Sequence, residues 1–270
     1  MKRQWYAAPF GLWMLMFTLV PLLFVVYYAF TDGSGAFSTA NFARLVQPGY
    51  LPVLLTSVKL ALYCTLICLL VGYPTAYFLA SRDFAGNKML VVLILLPMWM
   101  NFLLRTYAMM TILENNGLLN TLLTKLGLGK VQFIGTEGAV LLGMVYNFLP
   151  FMVLPVYTAL KKLDPAVIEA AEDLGAHPIR VLSRVVIPQS LPGVISGVTM
   201  VFMPAVTTFA ITRLLSNGMI YLVGDMIEEF FITVNNRPAG SALSLMMLVL
   251  MLISMLLLRR ANPARKGDRA

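Results

Sequence analysis

Residues 169–188 read EAAEDLGAHPIRVLSRVVIP, placing three carboxylates, two arginines and the only histidine together in a chain of which just 12% of residues are charged. The surroundings make that concentration informative. The chain is 59% hydrophobic over 270 residues, above the roughly 45–50% of a soluble domain. Its apolar residues fall in long blocks: Phe10 to Phe30, Leu54 to Ala80, Met89 to Leu113, Ala139 to Leu160, Ser190 to Thr212 and Ser241 to Leu258. A bilayer core about 30 Å thick needs about 20 mostly apolar helical residues. Helices that are apolar all round face lipid. The expected fold is an all-α integral membrane protein with six transmembrane helices, one transmembrane domain spanning 1–270, with residues 161–188 as a charged loop between the fourth and fifth spans.

The chemistry of that loop predicts an elbow. Asp164 before Pro165 is a helix start, because the carboxylate accepts from free N–H groups and proline at the first position has no N–H to leave unpaired. Leu163 and Ile168 have the spacing of a hydrophobic staple across the cap. Gly175 ends the helix, since a left-handed residue after the last turn is cheap for glycine. Pro178 starts a second short helix and Pro188 is expected to stop it before the fifth span. On the first helix Val167, Ala170, Ala171 and Leu174 share one side, and Glu169, Glu172 and Asp173 form an acidic edge at i, i+3, i+4. Helices that lie in the headgroup layer usually carry Lys or Arg on the polar face over bulky aromatics. This one has neither, a pattern suited to a groove on a cytoplasmic partner.

Basic residues orient the spans. With six spans both termini lie on one side, which collects Lys2, Arg3, Arg82, Lys88, Lys161, Lys162, Arg180, Arg184, Arg259, Arg260, Arg265, Lys266 and Arg269, 13 of the 20 Lys and Arg. The other side has Arg44, Lys59, Arg105, Lys125, Lys130, Arg213 and Arg237. The positive-inside rule puts the elbow and both termini in the cytoplasm. The net charge of +8 is then a topological signal, and no nucleic-acid partner is expected, because that would want a solvated basic face with aromatic platforms. The basic N-terminus precedes an apolar run too long for a signal-peptide core, so it is read as a retained span. Cys64 and Cys68, four apart on one helix face, suit packing rather than a disulfide. The lone His177 and the absence of any Cys/His cluster predict no metal site. No phosphate-binding G-x-x-x-x-G-K-[ST] occurs, so any nucleotide must be bound by another chain. Gly193 and Gly197 give a G-x-x-x-G, a weak pattern for close helix packing.

Glu169-Ala170-Ala171, Gly175 six positions after the glutamate, and Val185-Val186-Ile187-Pro188 resemble the EAA loop of binding-protein-dependent ABC transporter permeases, with conservative changes at the two late aliphatic positions. LLVGYPTAYFLA (69–80), LPMWMNFLLRTYAMMTILENNGLLNTLLTKLGL (96–128), VYNFLPFMVLPVYTALKKLD (145–164) and FMPAVTTFAI (202–211) resemble the spermidine/putrescine permeases, the PotB-like and PotH-like chains. These stretches cover more than half of the chain. VNNRPAGSA departs from the pattern, which has an Asp-Trp between the arginine and the proline.

The resemblance implies a type I ABC importer permease of the bacterial inner membrane. Such a chain works with a second homologous permease chain, two ATP-binding cassette subunits and an extracytoplasmic polyamine-binding protein. Glu169, Ala170, Ala171, Gly175 and Pro188 would couple it to the ATPase. ATP and Mg would be held by that partner, with no cofactor in this chain and no enzymatic activity of its own. The competing class is an ion-gradient-driven secondary transporter, whose usual signs are repeats, broken helices and mid-membrane carboxylates; no apolar block carries a carboxylate near its middle.

Polar residues within apolar spans face other helices or water, which marks Trp99, Asn101, Tyr146, Asn147, Thr207 and Thr208 as a candidate substrate pathway, together with Arg105 and Thr212. Trp99 and Tyr146 offer cation–π faces for an ammonium group. Helix packing and interfacial anchoring are the competing explanations. Arg105 opposes a polycation path unless it points away or is paired. Asp225, Glu228 and Glu229, at i, i+3, i+4 in YLVGDMIEEFF (221–231), form either a solvated face or an external face for a cation or a docked partner. A reporter fused after Ala270 or inserted near Gly86 is expected to behave as cytoplasmic, and one near Gly129 as external; the same side for Gly86 and Gly129 would refute the span assignment.

Overall fold

The computed structural model describes residues 8–32, 35–45, 47, 49–81 and 88–260. Lys2, Arg3, Arg82, Gly86, Arg265, Lys266, Arg269 and Ala270, on which the orientation argument partly rests, lie outside the described residues.

Among the described residues every regular element is helical. The first span joins α1 (Ala8–Met14) to α2 (Val20–Ala29) through a widened π-turn, Leu15–Leu19. A short α3 (Ala40–Leu45) precedes α4 (Leu51–Ala80). Then come α5 (Lys88–Trp99), α6 (Phe102–Leu113), α7 (Leu118–Lys125) and α8 (Glu137–Leu160). The elbow is α9 (Pro165–Asp173) and α10 (Pro178–Val181), followed by α11 (Ile187–Thr207), α12 (Ala210–Leu215), α13 (Val223–Ile232) and α14 (Arg237–Arg260). Among the described residues five helices are long and apolar enough to cross a membrane, or six if the bent pair Met89–Trp99 and Phe102–Lys125 is one span.

Three sequence expectations need correction. The third apolar block is not one straight helix: α5 and the segment Phe102–Lys125 meet at 92°. Asn101 stabilises the break by capping α6, its Oδ1 accepting from the N–H groups of Leu103 (2.9 Å) and Leu104 (3.2 Å), which pairs donors that a bilayer could not. The fifth block ends early, because α11 stops at Thr207 and Thr212 belongs to α12. Pro188 does not stop the second elbow helix, which runs on into the span as one apolar helix, Pro178–Thr207.

A π-turn makes that continuity possible. Proline has no N–H and its ring crowds the carbonyl four residues back. Over Leu182–Val186 the backbone widens so that the Ile187 N–H bonds to the Leu182 carbonyl, and Pro188 follows without ending the helix. The first span repeats the arrangement, with the Val20 N–H bonded to the Leu15 carbonyl just before Pro21.

The packed centre is α4, α8 and α11, brought close by glycines. A β-carbon on Gly193 would lie 2.5 Å from Ala159 Cβ and 2.7 Å from the Pro155 carbonyl oxygen, and one on Gly197 2.7 Å from Met152 Sδ. The G-x-x-x-G is therefore the contact face of α11 on α8. Cys64 and Cys68 are buried and unbridged, with sulfurs 4.0 Å apart. Lys59 of α4 pairs with Glu137 at the start of α8 (2.8 Å). Gly193→Ala should force these helices apart and cost about 1–3 kcal/mol, as overpacking does, read as a lower melting temperature in detergent; an unchanged value would refute the close contact.

Candidate functional site

The elbow is built by its caps. Asp164 Oδ1 accepts from the Ala166 N–H at 2.9 Å, and Pro165 stands at the start of α9. At the other end Gly175 takes φ +77°, its N–H bonds to the Glu172 carbonyl (2.8 Å), and the Ala176 N–H bonds to the Ala171 carbonyl (3.1 Å). This pair of bonds is a Schellman closure, which needs a left-handed residue at the corner. His177 then caps α10, with Nδ1 3.5 Å from the Ile179 N–H nitrogen.

The two faces of α9 separate on folding. Leu163, Ile168 and Ala171 pack against the hydrophobic core. Val167, Ala170, Leu174 and Ile179 are exposed, Leu174 by 89%. Glu169 and Glu172 border a cavity of about 410 Å³ shared with Tyr77 and Lys161. An apolar row exposed on a rigid, capped corner suits a protein groove.

The candidate pathway residues do not form one cluster. Trp99 ends α5 with 83% of its surface open, and Asn101 serves as the α6 cap. Asn147 is buried to 1% exposure; its Nδ2 donates to the Gly143 carbonyl (2.9 Å) and to Thr106 Oγ1 (3.4 Å), while its Oδ1 has no partner among the described residues. The Arg105 guanidinium stands 6.0 Å from the centre of the Tyr146 ring. Thr207 donates to the Met203 carbonyl at 3.2 Å. Thr208 is extended at the break between α11 and α12. Gly224 lets α13 meet that break, since a β-carbon there would lie 2.4 Å and 2.6 Å from the Thr207 and Thr208 carbonyl oxygens; nothing in the sequence pattern marks this glycine.

The acidic face of α13 turns to its neighbours. Asp225 accepts from Thr212 Oγ1 (2.8 Å) and from the Leu222 N–H (2.9 Å), closing the start of the helix. Glu228 pairs with Arg213, and Glu229 accepts from the Tyr221 hydroxyl. Asp225, Glu228, Glu229, Arg213 and Tyr221 line a cavity of about 210 Å³. Burial pushes the Asp225 carboxyl up to about 6 from 3.8, against the pull of the Leu222 and Thr212 hydrogen bonds and of Arg213, with Glu228 adding to the rise.

Residues 72–267 match the family described as binding-protein-dependent transport system inner membrane component. The chain belongs to that family. Two relatives are the spermidine/putrescine transport system permease protein PotB of Haemophilus influenzae, 38% identical over 93% of this chain and 90% of its own, and PotB of Escherichia coli K12, 35% identical over 93% and 94%. The crystal structure of a bacterial ABC transporter involved in import of the acidic polysaccharide alginate has the same fold, with TM-score 0.78 at 19% identity over 97% of this chain and 96% of that one. Membership of this permease family accounts for the apolar spans.

Because Asp225 has a raised value in the folded chain, its ionisation works against the fold. Its favourable protonated form is fully present below about 3.8 and is lost as pH rises through about 6. The melting temperature of the natural protein relative to Asp225→Asn should therefore fall from about pH 4 to about pH 7 and then level. A difference that is flat or rises would contradict the burial of this carboxyl.

Proposed function

We propose that this chain is one of two membrane subunits of an ATP-driven importer of polyamines in the bacterial inner membrane, with both termini and the elbow in the cytoplasm. The relatives named as spermidine/putrescine permeases support the cargo. The observation that carries the mechanism is the exposed apolar row of Val167, Leu174 and Ile179 on a capped elbow continuous with α11. Two ATP-binding cassette subunits, holding ATP and Mg, would take that row in a groove. An extracytoplasmic binding protein would deliver the polyamine, and a homologous second permease chain would complete the pathway. The chain itself carries out no chemistry.

Force then has a direct route. A displacement of α9 reaches α11 through the unbroken helix Pro178–Thr207, which bears on α8 at Gly193 and Gly197. Beyond Thr207 the chain breaks, so movement of α11 is absorbed where α12 and α13 meet it. Glu169, Ala170, Ala171, Gly175 and Pro188 act in this scheme as the coupling segment.

Membrane vesicles carrying the whole transporter should accumulate labelled spermidine or putrescine only with ATP and the binding protein. Gly175→Val, strained at positive φ, should cut uptake at least roughly tenfold, about 1.4 kcal/mol in coupling, while the protein still inserts. Glu169→Lys should weaken uptake in the same direction. Full uptake by both variants would remove the coupling role of the elbow.

A further inference from the structure

The Arg105 guanidinium belongs to a residue only 6% exposed, and its Nε and Nη1 are sealed from solvent without a hydrogen-bond partner among the described residues. The Tyr146 ring lies 6.0 Å away. At the next position of each helix, Asn147 Nδ2 donates to Thr106 Oγ1, while Asn147 Oδ1 is buried and unpartnered. The contact of α6 with α8 thus holds both buried donors without an acceptor and a buried acceptor without a donor, each of which is costly in a buried site.

We propose that Arg105 is a specificity residue: a tethered cation that occupies an ammonium site on the Tyr146 ring and is displaced by the transported amine towards Asn147 Oδ1. This rests on the polyamine reading. An aromatic face attracts any cation, and two cations cannot share it without repulsion. A singly charged amine has one contact with which to displace the guanidinium. A polyamine holds other contacts through its remaining ammonium groups while one of them takes the ring. Arg105 therefore selects by opposing the wrong cargo as well as by yielding to the right one.

The test is spermidine uptake by the complete transporter in vesicles, with butylammonium on both sides as competitor. The natural protein and Arg105→Lys should resist it, and Arg105→Gln should become at least roughly tenfold more sensitive. Adding Tyr146→Leu to Arg105→Gln should abolish that sensitivity, whereas adding Tyr146→Phe should keep it. Unchanged sensitivity in Arg105→Gln, or sensitivity that survives Tyr146→Leu, would overturn the proposal. Should Arg105→Gln fail to reach the membrane, Tyr146→Leu alone should lower the maximal rate while Tyr146→Phe keeps it, and equal behaviour of the two would overturn the proposal. Absence of spermidine uptake by the natural protein would reject the polyamine reading and this inference together; normal uptake with unaffected variants would reject the role of Arg105 alone.

Discussion

The close approach of α11 to α8 at Gly193 and Gly197 is the constraint on which the remaining structure depends. In a bilayer, apolar side chains gain nothing from leaving lipid for one another, so helices associate through tight contact and polar pairing. Glycine supplies that contact here, and the two helices it joins are those that flank the elbow. The elbow is consequently fixed at both roots. Its own rigidity comes from Asp164 at one end and the Gly175 closure at the other.

The second constraint is that backbone polar groups within a membrane need partners. Several interruptions of the spans have a device that meets it. Asn101 caps the bend in the third span, and π-turns precede Pro21 and Pro188. Interruptions of this kind give the bundle places to move while the glycine contact holds.

The elbow is legible in the sequence because its signals are local: a carboxylate before a proline, a staple, a glycine after the last turn. The bend at Asn101 is hidden, since hydropathy averaged over a block does not register one cap. Pro188 misleads for a similar reason, because the widened turn that accommodates it leaves no mark in residue type. Arg105, Tyr146 and Asn147 each stand out as unusual residues, but their meeting joins two helices, with Thr106 and Asn147 41 positions apart. The spacing of Asp225, Glu228 and Glu229 is legible; their partners Thr212, Arg213 and Tyr221 come from neighbouring segments and are not.

Docking of the elbow can be read with a photo-activated cross-linker at Leu174, an apolar position with 89% of its surface open, in the assembled transporter. An adduct with the ATP-hydrolysing subunit is expected. Adducts with lipid alone would contradict this docking.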